Sequence, residues 1–273
     1  MTFAYAPGSR PVEPYTIKHG LGSGAFGEVY YGVSDAGKEV ALKLLCRDPE
    51  IELRGIQACL NLNHPHLVTV YDLRQAVDGN RWLIMEYLPG PTWSSILQQH
   101  PQGLSPERVA CWFRQLAKAL DFLHQHGILH RDLKPSNIFL ADWGREEWVK
   151  VGDYGLSKAI TGRISEQHSA IGTAYYMAPE MTHGRYDHGV DVYAAGVLAF
   201  QLLTGQLPFT GQSVQEVLLR HLTDEPDWSQ LPAAVVPVLR TALAKDPRAR
   251  FASVGELAEH LCDAISHIQA SPA

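Results

Sequence analysis

One change of pattern, at Leu88-Pro89-Gly90-Pro91, narrows the possible folds more than any other feature of the chain. Before it, short apolar stretches broken by glycines read as strands at 15–21, 28–33, 39–45, 67–73 and 82–87, with a turn at Ser34-Asp35-Ala36-Gly37 and one modest helix over 51–61. After it the period becomes helical. Ser105-Pro106-Glu107 combines an N-cap hydroxyl, a proline at the first helical position and an early acid. Val109, Trp112, Phe113, Leu116, Leu120 and Leu123 then recur at spacings of three and four, up to Gly127. Residues 190–203 are apolar nearly all round, as in a helix buried on every side, and Val254, Leu257, Leu261, Ile265 and Ile268 give a last helix its stripe.

A chain of 273 residues exceeds the size at which one core usually stops growing. The pattern therefore predicts an α+β fold of two lobes. A small five-stranded β lobe with one helix spans 15–87, a linker 88–91, and a larger, mainly α-helical lobe 92–268, flanked by an N-terminal extension (1–14) and a short tail (269–273).

Composition removes several functional classes. A net charge of −6 gives no electrostatic case for nucleic acid or anionic membrane. The four cysteines, Cys46, Cys59, Cys111 and Cys262, form no C-x-x-C pair, so free thiols in a reducing, cytoplasmic setting are expected. Residues 1–14 lack the charged and apolar regions of a signal peptide. The most apolar stretch, 192–200 between Asp191 and Gln201, is far shorter than the ~20 residues a bilayer requires.

Three motifs carry chemistry. Gly22-Ser23-Gly24-Ala25-Phe26-Gly27 is G-x-G-x-x-G, a string that dinucleotide-binding folds also use, but there it opens a helix. Here strand formers Glu28-Val29-Tyr30-Tyr31 follow, so the loop joins two strands, and backbone amides freed of side chains can lie over phosphate oxygens. Sixteen residues after Gly27, Lys43 ends Val40-Ala41-Leu42-Lys43; alone it would read as a solvated strand lysine, but after this loop it can reach phosphates. His130-Arg131-Asp132-Leu133-Lys134-Pro135-Ser136-Asn137 places a carboxylate, a cation two residues later and an amide five residues later on one loop. Asp132 can accept the proton of an attacking hydroxyl, Lys134 can offset phosphoryl charge, and Asn137 can give Mg²⁺ a neutral oxygen. Asp153-Tyr154-Gly155 adds a second metal-binding carboxylate sixteen residues beyond Asn137.

In order and spacing these motifs resemble the eukaryotic-like serine/threonine protein kinases over roughly residues 15–268. The resemblance implies ATP held with Mg²⁺ in a cleft between lobes, and transfer of its γ-phosphate to Ser/Thr hydroxyls of proteins, with a second copy of the chain as one acceptor. Asp132 would be the catalytic base, Asn137 and Asp153 the metal ligands, and Lys43 the phosphate-holding lysine. Leu21 and the Gly22–27 loop, including Ser23, Gly24, Ala25 and Phe26, would cover the nucleotide. Val29, Ala41 and Phe139 would sandwich adenine, Met85 would be the gatekeeper, and Glu86 and Leu88 would present backbone groups. Lys134 is similar to the Ser/Thr-specific branch, and Tyr154 replaces the usual phenylalanine.

The resemblance also implies an activation segment between Asp153 and Ala178-Pro179-Glu180, 24 residues too irregular for a packed element. Thr173 would bond near Asp132 and Lys134, Glu180 would pair with Arg250, and Asp191 would brace the catalytic loop. Ser169 is the expected phosphorylation site, ahead of Ser165 and Thr161, with Arg131 as receiver. One position departs from the family: the lysine-pairing glutamate of the small-lobe helix falls on Gly55, with only 11 residues between it and Lys43. Glu52, one turn earlier, is the expected partner and Glu50 the alternative. This gap supports a rival reading, a pseudokinase acting as a nucleotide-responsive binding module. A small-molecule phosphotransferase, the third reading, would not need the 172–180 stretch. His124, His126 and His188 read as structural or surface groups.

Overall fold

The computed structural model describes residues 3–24, 27–45, 56–141, 147–154, 172–184 and 186–270. Contacts divide the chain into two units, Met1–Pro89 and Gly90–Ala273, at the change of pattern in the sequence.

The first unit is built on a five-stranded antiparallel sheet: β1 (Tyr15–Gly24), β2 (Gly27–Ser34), β3 (Glu39–Leu45), β4 (Val70–Gln75) and β5 (Arg81–Glu86), in the order β1-β2-β3-β5-β4. Register sorts the side chains onto two faces, because directly opposed residues share a face. Val29 opposes Lys43, Tyr31 opposes Ala41, and Ala41 in turn opposes Met85. The other face, with Ile17, Tyr30, Val40, Leu42, Leu44, Trp82 and Ile84, is a buried apolar cluster. Phe3, Tyr5 and Tyr15 pack against that cluster, so the N-terminal extension is built onto the sheet rather than trailing from it.

β4 starts three residues later than the sequence suggests. Leu67 and Val68 are buried, but Leu67 N–H donates to His64 O in a turn and leads into the strand without belonging to it. Of the helix expected over 51–61, residues 56–59 are helical, with Ile56 and Cys59 buried, while 51–55 lie outside the described residues.

The second unit is helical, with a small hairpin. Its elements are α1 (Trp93–Gln99), α2 (Pro106–Gln125), β6 (Ile138–Leu140), β7 (Val149–Val151), α3 (Gly189–Thr204), α4 (Val214–Thr223), α5 (Val236–Ala242) and α6 (Val254–Ala270). Ser105 caps α2 through Arg108 N–H, and Trp112, stacked 5.0 Å from Trp93, fixes α1 on α2. α3 is buried along nearly its whole length and ends at Gly205, whose φ of 75° closes the helix in the left-handed region that glycine adopts without strain. Of the stripe expected on α6, Val254, Leu257, Leu261 and Ile265 are buried and Ile268 is half-buried. Among the described residues no helix is long and apolar enough to cross a membrane.

His221 on α4 gives this unit a pH dependence. It is fully buried, shares a 2.8 Å hydrogen bond with the Tyr193 hydroxyl on α3, and packs 4.7 Å from the Phe209 ring. Burial, with the nearby Lys245 ammonium, lowers it from 6.5 to about 4. The unfolded chain therefore binds this proton at a higher pH than the folded one, and stability declines as pH falls from about 6.5 towards 4. His221→Gln is expected to remove about 2 kcal/mol of the stability lost between pH 7 and 5. Urea unfolding of both chains at the two pH values measures it; equal losses would contradict it.

Candidate active site

The chemistry-bearing loop of the second unit follows α2 and is tied to α3. Asp191, 1% exposed, accepts His130 N–H at 2.8 Å and Arg131 N–H at 2.9 Å, and its Oδ2 lies 2.8 Å from His124 Nε2. Burial pushes its carboxyl up, but the His124 hydrogen bond, the nearby imidazoles and the Arg131 amide outweigh that and hold it below the usual carboxylate range. His130, fully buried, closes the loop from the other side: its Nδ1 accepts Asp132 N–H at 3.3 Å while Nε2–H donates to Gly152 O at 3.0 Å. Those partners set its tautomer. Among the described residues, Arg131 (φ 65°) and Asp153 (φ 58°) are the non-glycines in the left-handed region. Such backbone persists only where its surroundings enforce it, and it clusters at functional sites.

Asp132 is 6% exposed and is the hub of the loop. Its Oδ1 accepts from Lys134 Nζ at 3.0 Å and from Thr173 Oγ1 at 3.1 Å, and Lys134 Nζ also lies 3.1 Å from Thr173 Oγ1. Asn137 Nδ2 donates to Asp132 Oδ2 at 3.1 Å and to Asp132 O at 2.8 Å. Thr173 enters through a helical turn at 172–174, and Ala174 at its end, with Met177 and Ala178 beyond it, is buried against Tyr193 and Val197. This corrects the expectation that the whole segment before Glu180 is too irregular to pack: its apolar end anchors on α3.

The residues fit a magnesium ion. With both Asn137 amide hydrogens committed to Asp132, its oxygen, which accepts only a long 3.5 Å bond from Ser136 Oγ among the described residues, has a lone pair for a metal. The β6–β7 hairpin brings Asp153 to the same end, since Ile138 pairs with Val151 and Gly152 N–H donates to Asn137 O at 2.8 Å. One amide oxygen and one carboxylate suit a hard cation that takes its remaining ligands from water and phosphate. Among the described residues no group of three or more His, Cys, Asp or Glu could hold a metal by itself.

The hairpin is latched to α2 by Arg108, Gln115 and Glu147, which the sequence reading did not single out, together with Trp112 of the apolar face. Gln115 accepts Val149 N–H and donates to Glu147 O, both at 2.9 Å, while Arg108 and Trp112 Nε1 bind the Glu147 carboxylate. Arg108 and Gln115 lie four residues before and three after Trp112, so two polar residues flanking a tryptophan of the apolar face of α2 were the available signal. His124, read as structural, is the Asp191 partner.

Glu180, in the turn Pro179–His183, forms a two-pronged pair with Arg250, whose side chain is fully buried. Nη1 to Oε1 is 2.6 Å and Nη2 to Oε2 is 2.9 Å.

The first unit carries the remaining candidates. Lys43 is only 3% exposed, and a polar group so buried is costly unless it is hydrogen-bonded or paired. Register puts it on one face with Val29, Ala41 and Met85. A bulge between Gly20 and Gly22 leaves Leu21 unpaired and 43% exposed, and Ser23 opposes Glu28. A Cβ added to Gly22 or Gly24 would meet no described atom within 4 Å, so the fold itself does not demand glycine there. A ligand approaching the backbone would, which fits the reading of a phosphate cover. Gly27, at φ 122°, opens β2 in a backbone conformation that favours glycine. Glu86 N–H donates to Thr69 O at 2.8 Å and its side chain accepts Thr69 N–H, holding the end of β5 just before the half-buried Leu88. Phe139, in the second unit, is half-buried on β6 and bridges to Thr92. Ala25, Phe26, Glu50, Glu52, Gly55, Thr161, Ser165 and Ser169 lie outside the described residues.

A unit built on a five-stranded antiparallel sheet, followed in the chain by a helical unit with this loop and hairpin, is the protein kinase fold. Residues 15–263 match the protein kinase domain, and the chain belongs to that family. It is 36% identical over 264 residues to the serine/threonine-protein kinase PknB of Mycolicibacterium smegmatis, covering 89% of this chain and 41% of that one. It is 34% identical to PknJ of Mycobacterium tuberculosis, covering 44% of it. The chain thus spans about two-fifths of the length of these curated relatives. The crystal structure of the Mycobacterium tuberculosis PknI kinase domain superposes with a TM-score of 0.75 at 28% identity, covering 96% of this chain and 100% of that one.

Proposed function

We propose that this chain is a serine/threonine protein kinase that transfers the γ-phosphate of ATP to protein hydroxyls, its own copies included. The Asp132 carboxylate, held by Lys134, Thr173 and Asn137 at 3.1 Å or less, carries that reading. An incoming Ser or Thr hydroxyl donates its hydrogen bond to Asp132. As its oxygen bonds to phosphorus and the bond to ADP breaks, the proton passes to the carboxylate, and Lys134 offsets charge on the moving phosphoryl group. Thr173 keeps Lys134 and Asp132 in register. Asn137 and Asp153 would hold Mg²⁺, which when bound neutralises phosphate charge. Lys43 and the Gly22–27 backbone hold the phosphates, and Ala41, Val29, Met85, Glu86, Leu88 and Phe139 take the adenine. Glu52 is the proposed partner of Lys43, Ser169 the proposed autophosphorylation site, and the cytoplasm the proposed compartment.

A polypeptide acceptor fits better than a small molecule. An open groove of about 510 Å³ runs from Lys134, Pro135 and Ser136 past Gly172, Tyr175 and Tyr176. Purified chain given Mg²⁺ and γ-labelled ATP should label serine and threonine, not tyrosine, in a generic protein. Tight Mg-ATP binding without labelling would favour the pseudokinase instead.

A further inference from the structure

The match to the protein kinase domain begins at residue 15, yet residues 3–14 are built into the first unit. At one end this strap is fixed to β1 by Gly8 N–H to Ile17 O (2.8 Å) and Ile17 N–H to Ser9 O (2.9 Å). At the other it reaches the base of the glycine loop on both strands. On β1, the Phe3 ring occupies the space a side chain at Gly20 would need: a Cβ there would fall 2.2 Å from it. On β2, Ala4 N–H donates to Glu28 Oε2 at 3.0 Å. Glu28 directly follows Gly27 and opposes Ser23 across the hairpin. The Tyr30 hydroxyl also donates to Glu28, accepts Tyr5 N–H at 3.2 Å, and its ring lies 5.3 Å from Phe3.

Gly22 and Gly24 pair with Val29 and Gly27 through the strand ladder alone, with no side chains of their own to pack. Their position therefore depends on the backbone ladder and on its base, which the strap grips on both sides. We propose that residues 3–5 form a positioning element for the loop, acting through Gly20, Glu28 and Tyr30 to lower the ordering cost of nucleotide binding. The nucleotide part rests on the reading that Gly22–27 covers ATP phosphates; the mechanical part does not.

Phe3→Ala and Tyr30→Phe test it. In nucleotide-free chain, amide exchange over 20–24 and 27–30 should speed up by about tenfold, with 70–86 unchanged. KM for ATP should rise about fivefold while kcat stays within about twofold, because a pre-ordered loop is needed for binding rather than for chemistry. Phe3→Leu should restore most of the affinity. Arg10→Gln, which loosens the strap from Asp35 far from the loop, should leave KM unchanged. Unchanged exchange and KM in both variants would overturn the proposal, as would an equal effect of Arg10→Gln, which marks general destabilisation. If wild-type chain never turns over ATP, the kinase reading falls instead. Exchange then decides the mechanical claim: faster exchange in both variants supports it and unchanged exchange overturns it.

Discussion

Replacing Arg250 by alanine is expected to destabilise the helical unit by about 3–5 kcal/mol, because it leaves a largely buried carboxylate uncompensated. The Arg250 side chain is fully buried, and its donors are all used: besides the two bonds to Glu180, Nε donates to Ala244 O at 2.8 Å, Nη1 to Gly189 O at 3.0 Å and Nη2 to Lys245 O at 3.4 Å. Its guanidinium also stacks 4.7 Å from the Tyr193 ring. Removing it strands the Glu180 carboxylate, 16% exposed, together with three carbonyls from two segments, Ala244–Lys245 and the start of α3. Glu180→Gln, which keeps an acceptor, should cost less. Urea unfolding should show a lower midpoint with an unchanged slope. A loss below about 1 kcal/mol would mean that the pair behaves as an exposed one.

Much of this was legible because it is local. The strands follow alternation and turn chemistry; α2 and α3 announce themselves by a capped amphipathic stripe and an all-apolar run. Asp132, Lys134 and Asn137 share one loop, so their spacing almost fixes their proximity. The long-range latches were harder. Gln115 and Glu147 meet only because the β6–β7 hairpin folds back on α2, and the spacing along α2 does not name a partner 32 residues away. The strap was invisible for the same reason: the half-buried Phe3 fits a gap at Gly20 that the glycine alone does not reveal. Leu67 and Val68 mimic a strand because buried turns and strands draw on the same apolar residues. The packed end of the segment before Glu180 was missed because hydroxyl and aromatic residues there hide Ala174 and Met177, which face α3.

Asp132→Asn should have the largest effect on catalysis. Asparagine matches the shape of aspartate, but it cannot take a proton from the acceptor hydroxyl. Its amide also offers one oxygen where Lys134, Thr173 and Asn137 all donate. The loss of a positioned base is worth about 10²–10⁴-fold in rate. Asp132 is not among the proposed metal ligands, so affinity for the nucleotide should change little. That separation of binding from chemistry is a sharper criterion than loss of activity, which misfolding would also produce.

Single-turnover transfer from prebound Mg-ATP to a protein acceptor, with nucleotide affinity measured on the same preparations, tests the assignment most directly. Wild-type and Asp132→Asn chains should bind the nucleotide equally well, with labelled phosphoserine and phosphothreonine forming about 10²–10⁴-fold more slowly in the variant. Equal transfer rates, or nucleotide binding by the wild-type chain without any transfer, would contradict it.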